Sequence, residues 1–421
     1  MKITFVSNYI NHHQIPFSKA MCAWPGVEYT FIQTEPMEEE RVRMGWKQQE
    51  DLPYLKLYYR EPQSCRALIA ESDVVIFGGC EDEAYIAERL KSGKPVIRYS
   101  ERLYKEGQWK AISPRGLWKK YHDHVKYRNA QVYLLCSGAY VADDFHIIRA
   151  YPDKMFRWGY FPETKHYDVD QLMAGKGSGE NKRIAILWAA RMIDWKHPEL
   201  VVQTAHYLKQ KGIEFHLTMA GGGEMEEEVR RLAKELQVTD CISFPGFCSP
   251  TEVRTMMEQA DIYLVTSDRG EGWGAVVNEA MNSGCAVVAD HMIGAVPYLI
   301  RHGENGLIYE DKNSRQLFEL TAWLAQDRSR CRKLGEQAYH TITKEWNPEN
   351  AAACLMELIG KLKLDNRERN QKAKAQCAQL QNVQPQNVKG HAAMITSTGP
   401  CSPAPMIREK KMYEYLTKER K

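Results

Sequence analysis

Short apolar runs separated by amphipathic stretches recur along most of this chain. Runs at 2–6, 27–32, 73–77, 95–98, 132–136 and 155–160 have the length and composition of buried strands. Helical spacing fills several of the gaps, as at Glu83–Leu90. A second series follows, with strands at 183–189, 214–219, 241–244, 261–265, 286–289 and 306–309. Its helices fall at about 197–211, 224–236, 250–259, 275–283, 294–301 and 313–326. Such alternation implies parallel sheets covered by helices on both faces. Between the two series, 168–182 turns polar and glycine-rich and reads as a linker. The pattern therefore predicts an α/β chain of two doubly wound, Rossmann-like domains, 1–167 and 183–346. A helix is expected over 347–364, with Asn347 as its cap and Pro348 in its first turn. Residues 365–398 are polar and poor in large apolar side chains, so they are expected to be mobile. Residues 399–421 read as a turn and a charged helix.

Composition narrows the function. The 421 residues carry a net charge of only +3, so no strong electrostatic case for nucleic acid exists. Two basic runs, Trp118-Lys119-Lys120 and the 407–421 tail, read first as solvated faces. Peripheral contact with an anionic membrane face is the weaker reading. No apolar stretch approaches the length of a membrane span, and the start of the chain lacks a signal-peptide pattern. The eleven cysteines include no CxxC pair and sit mostly in apolar surroundings. Reduced, buried thiols and a cytoplasmic location are expected.

The densest chemistry lies at 269–279, Arg-Gly-Glu-Gly-Trp-Gly-Ala-Val-Val-Asn-Glu. A buried strand precedes it and an apolar helical pattern follows. Gly272 and Gly274 make a turn that lets amides approach a phosphate, and a helix N-terminus favours an anion. Glu271 and Glu279 stand with seven residues between them. Glu279 is placed to accept hydrogen bonds from sugar hydroxyls. After the strand Ile184–Trp188 come Arg191 and Lys196, a planar fork and a point charge suited to a pyrophosphate. Gly221-Gly222-Gly223 ends another strand of the same sheet and serves equally a ligand or a neighbouring loop.

In the first half, Asn11, His12 and His13 follow the first strand and would face the second domain. Glu101 and Arg102 follow the strand at 95–98, on the same expected rim. No metal site is read: His12-His13 lacks a third partner, and His122 and His124 point to different helix faces. Asp168-Val169-Asp170 is a DxD pattern away from any strand end and reads as coincidence.

Taken together these residues resemble the retaining GT-B glycosyltransferases, in particular family 4 of the bacterial polysaccharide-assembly type. The resemblance is strongest over 183–310. It rests on Arg-x4-Lys, the glycine turn at 221–223, Phe244-Pro245-Gly246-Phe247, Glu271-Gly272-Trp273-Gly274, Asn278-Glu279-Ala280-Met281 and Gly303-Glu304-Asn305-Gly306-Leu307. It implies a hexosyltransferase-type enzyme whose two domains face each other across a cleft. The donor would be a nucleoside diphosphate sugar, and the acceptor a saccharide or lipid-linked saccharide. Retention of configuration, and no cofactor or bound metal, would follow. The enzyme would be cytoplasmic, peripheral on the inner membrane face.

The resemblance also implies roles. Arg191 and Lys196 would hold the diphosphate, Glu279 the ribose, and Glu271 the transferred sugar. Gly221, Gly272, Trp273, Gly274, Ala275 and Val276 would complete the donor site. Glu101 is the first-domain catalytic candidate, with Asn11, His12, His13 and Arg102 on the acceptor side. The 347–364 helix would cross back to the first domain. The rival readings are a nucleotide-sugar epimerase of the same fold and a non-catalytic nucleotide-binding scaffold.

Overall fold

The computed structural model describes residues 1–39, 51–176, 183–364 and 398–418. The expected mobile segment falls almost wholly outside these residues. Thirteen strands among them form two sheets. In the first half they are β1 (Lys2–Ser7), β2 (Glu28–Gln33), β3 (Leu55–Leu57), β4 (Val74–Phe77), β5 (Val96–Ser100), β6 (Val132–Ser137) and β7 (Met155–Trp158). The second half supplies β8 (Ile184–Ala189), β9 (Phe215–Ala220), β10 (Ile242–Gly246), β11 (Ile262–Val265), β12 (Ala286–Asp290) and β13 (Leu307–Tyr309).

The first sheet runs β3-β2-β1-β4-β5-β6-β7 and the second β10-β9-β8-β11-β12-β13. Every strand pair is parallel. Central strands β4, β11 and β12 are buried throughout, which is why their sequences are continuous apolar runs rather than alternating ones. In each sheet the strand order reverses beside the first strand, between β1 and β4 and between β8 and β11. Ligands of doubly wound sheets bind beyond the strand ends at that reversal. The two reversals face each other, and one buried cluster spans both halves, joining Phe17, Trp158 and Phe161 to Trp273, Tyr298 and Trp346.

Three features depart from the sequence pattern. The 168–182 stretch is not a loop over its first half: Val169–Gly175 is a helix whose N-cap, Asp168, accepts from the Gln171 amide. Asp168 of the DxD pattern is thereby a helix cap. A 17-residue helix, Arg328–Lys344, follows Ser314–Ala325 and packs beneath the Ala275–Asn282 helix. β3, three residues long, also carries no sequence signal.

The end of the chain ties the halves together. The Pro348–Leu364 helix packs on Ile15–Cys22 of the first half. Residues 401–404 then run along β7: Arg157 donates its amide to the Ser402 carbonyl and accepts from Cys401, both at 2.8 Å. The tail finishes as a helix, Glu409–Thr417, with Met412 buried. Its Tyr413 hydroxyl accepts from Gln316 of the second half.

Candidate functional site

A cavity of about 1100 Å³ lies where the strand ends of the two sheets meet. Loops after β1, β4 and β5 form one wall, and loops after β8 and β11 form the other.

On the second-half wall, Lys196 and Glu271 form an ion pair, and both are largely buried. The Lys196 ammonium also sits 4.4 Å from the Trp195 ring centroid. Arg191 borders the same cavity and is exposed. Two loop contacts hold the cations opposite the glutamate. The Asp268 amide donates to the Trp195 carbonyl at 3.1 Å. The His197 ring bridges Asp268 (3.4 Å) and Glu199 (3.0 Å). Hydrogen bonds to those two carboxylates raise the His197 pKa to about 10, so the ring is a cation at neutral pH. Gly274 takes a left-handed φ of +88° and opens the Ala275–Asn282 helix without a side-chain cap. Ala275 and Val276 line the cavity, so the first turn turns its amides and positive dipole end toward it.

The first-half wall contributes Glu101. Its carboxylate accepts from the Tyr160 hydroxyl at 2.6 Å and pairs with Lys105 at 2.5 Å. Burial and the adjacent Glu101 charge push the Tyr160 phenol well above its ordinary range, so it remains a donor. Tyr160 also stacks on His13, with centroids 5.9 Å apart. Burial, then the neighbouring His12, holds the His13 pKa well below 6.5, so His13 is neutral at neutral pH. Asn11 lines the cavity and accepts from the His13 amide at 2.9 Å.

Thus Arg191, Lys196, Glu271, Gly272, Gly274, Ala275 and Val276 meet Glu101, Asn11 and His13 around one space. Five expected residues are placed differently: Gly221, Trp273, His12, Arg102 and Glu279. Gly221 is outside the lining. A Cβ there would fall 2.0 Å from the Ala190 carbonyl oxygen, so this glycine lets β9 pack under the Arg191 loop. Trp273 borders the cavity, but its ring is buried between the domains and donates to Asn278 at 2.9 Å. Gly159 accommodates it, since a Cβ there would lie 2.2 Å from the ring. His12 also lies outside the lining, against His13. Arg102 borders the cavity, but its guanidinium is held by Glu409 at 3.1 Å and lies 3.5 Å from Asp144.

Glu279 is half-buried and also outside the lining. Burial raises its pKa, and Arg254 pulls the other way. Burial pushes the Tyr263 phenol well above its ordinary range and the Glu279 charge adds to it, while Tyr263 donates to the Ala189 carbonyl at 3.0 Å. Sequence reading missed Tyr160, Lys105 and His197. The adjacency of His197 to Lys196 and the four-residue spacing of Lys105 from Glu101 offered local signals; Tyr160 offered none. Among the described residues, no group of three or more His, Cys, Asp or Glu is arranged to hold a metal ion.

Residues 170–341 match the family model described as glycosyl transferases group 1. Over 172 residues the chain is 26% identical to the putative colanic acid biosynthesis glycosyltransferase WcaL of Escherichia coli, covering 39% of this chain and 42% of that one. It is likewise 26% identical over 184 residues to a GDP-mannose-dependent alpha-(1-6)-phosphatidylinositol monomannoside mannosyltransferase of Mycobacterium tuberculosis, covering 42% and 48%. The matched stretch thus spans less than half the length of these curated relatives. Among solved structures, Anabaena Alr3699/HepE in complex with UDP and glucose superposes with a TM-score of 0.61 at 13% identity, covering 86% of this chain and all of that one. The fold is GT-B: two parallel-sheet α/β domains facing across a cleft.

Proposed function

We propose that this protein is a glycosyltransferase that moves a sugar from a nucleoside diphosphate sugar to a saccharide or lipid-linked saccharide in surface polysaccharide synthesis. The carrying observation is the meeting of the Arg191/Lys196/Glu271 wall with the Glu101 wall across one cavity. The names of the relatives support transfer, and the UDP and glucose in the Anabaena neighbour support a nucleotide-sugar donor. The relatives' names also support an acceptor bearing sugar or lipid.

In this reading the donor diphosphate lies between Arg191, Lys196 and the first turn of the Ala275–Asn282 helix. Their positive charge stabilises the diphosphate as it departs, without a resident metal. The diphosphate competes with Glu271 for Lys196 and releases that carboxylate to the sugar hydroxyls. Glu279 takes the ribose. The acceptor hydroxyl enters from the Glu101 and His13 side and attacks on the face from which the diphosphate leaves, retaining configuration. The departing phosphate oxygen accepts the hydroxyl proton. The enzyme works on the cytoplasmic side of the membrane.

The test is thermal stability against a panel of nucleoside diphosphates, followed by product analysis with and without acceptor. A ligand at about 100 times its Kd adds roughly 2.7 kcal/mol of stability. The expected result is a shift with one diphosphate, lost in Lys196→Ala, and product formed only with acceptor. Conversion of donor without acceptor would mean epimerisation. No shift with any nucleotide at high concentration would leave a scaffold.

A further inference from the structure

The helix Pro114–Asp123 is inverted relative to an ordinary surface helix. Pro114, Leu117, Trp118 and Tyr121 follow the i, i+3, i+4, i+7 spacing that normally turns an apolar stripe inward. Here the stripe faces outward. Leu117 is 42% exposed, Trp118 66% and Tyr121 54%, and Ile112 just before the helix is 81% exposed. No residue of the helix is buried. Eleven large hydrophobic residues are exposed among those described, and four fall within positions 112–121, so this is a patch rather than scatter.

Cations flank the patch along the chain. Arg115, Lys119, Lys120 and Lys126 lie on or beside the helix. The helix carries one acid, Asp123, already 3.5 Å from Lys119. Trp and Tyr with an apolar body and a polar tip, flanked by Lys and Arg, suit the boundary between lipid headgroups and acyl chains. A second copy fits less well, because a two-fold contact would set Arg115 and Lys119 against their own equivalents.

We propose that the Ile112–Tyr121 face docks on an anionic lipid bilayer. Lys119, Asp123 and His124 border the cavity, so docking sets the mouth of the first-half wall beside the membrane. A lipid-anchored acceptor then reaches Glu101 while its chains stay in the bilayer. That last step rests on the proposed transfer reading; the docking itself does not.

The experiment is flotation of the full chain with vesicles of phosphatidylcholine alone or with a third phosphatidylglycerol, without any sugar donor. Binding is expected to the anionic vesicles only and to fall as salt rises. Leu117→Gln with Trp118→Gln should weaken it at least about tenfold, from the loss of two buried apolar side chains. The nucleotide-induced thermal shift should be unchanged in that variant, which also shows that it folds. Absence of flotation, equal flotation of the variant, or equal binding to neutral vesicles would each overturn the proposal. Concentration-dependent dimerisation abolished by the variant, without vesicle binding, would assign the face to a second copy instead. Vesicle binding without any nucleotide-induced shift would keep the docking face and remove the transfer reading.

Discussion

The Glu101 carboxylate lies directly on the backbone of Gly272: a Cβ at 272 would come within 2.0 Å of Oε2. One residue begins the loop after β5 of the first sheet and the other begins the glycine turn of the second. Gly138 stands next to this contact, where an added Cβ would lie 3.1 Å from the Gly272 carbonyl oxygen. The site is therefore completed by closely approaching backbones.

Gly272→Ala should force these walls apart. We expect a loss of about 1–3 kcal/mol in stability, as overpacking usually costs, and a fall in turnover of roughly tenfold or more. Adding Glu101→Ala should restore much of the stability and none of the turnover. Denaturant titrations in a double-mutant cycle measure the coupling. Additive effects on stability would mean that the two residues do not touch in solution.

Glu271→Gln separates binding from chemistry. The variant no longer neutralises Lys196, so diphosphate should bind severalfold more tightly, while turnover falls by about 10²-fold or more. Calorimetry with the diphosphate, alongside initial rates, gives both numbers. Weaker binding together with normal turnover would contradict the role given to the Lys196–Glu271 pair.

His197 makes stability depend on alkaline pH. Its folded pKa, about 10, is above the unfolded value near 6.5. The stabilisation is thus complete below about pH 6.5 and is lost as pH rises toward 10. Solvent screening of this partly exposed ring leaves on the order of 1–2 kcal/mol. Urea midpoints of wild type and His197→Ala, compared across that window, should converge as pH rises. A constant gap would show that the ring's charge contributes nothing.

Glu409 joins three parts of the molecule, pairing with Arg102 at 3.1 Å and with Arg269 at 2.8 Å. Glu409→Ala leaves the buried Arg102 with Asp144 alone, at 3.5 Å. A loss of roughly 2–4 kcal/mol is expected, as when one partner of a buried ion pair is removed. Limited proteolysis should cut the tail faster than in wild type. Unchanged melting and cleavage would show that the tail is held without this carboxylate.

The strands were legible because both faces of β4, β11 and β12 are buried, which leaves uninterrupted apolar runs. β3 was not, because three residues carry no periodicity. The Arg328–Lys344 helix hides its inner stripe of Cys331, Leu334, Ala338 and Ile342 among many charged residues. In the site, Arg191, Lys196, Glu271, Gly272 and Gly274 could be read because each lies in the turn that leads from its strand to the next helix. Tyr160 reaches Glu101 across 59 positions and Glu409 reaches Arg102 across 307, so no local pattern could pair them. Trp273 was read as a donor contact through the family resemblance. The turn sends its ring the other way, into the packing between the domains.

The bond between the tail and both halves has a consequence for how the molecule is made. Residues 398–418 leave the ribosome after both sheets have been synthesised. Domains generally fold as units in the order they emerge. Each half must therefore acquire its core while Arg102 and Arg269 still lack Glu409 and the edge of β7 still lacks residues 401–404. Fastening by the tail is then a late assembly event, and a ribosome stalled before residue 398 would display the two halves joined by their shared core but without that last clasp.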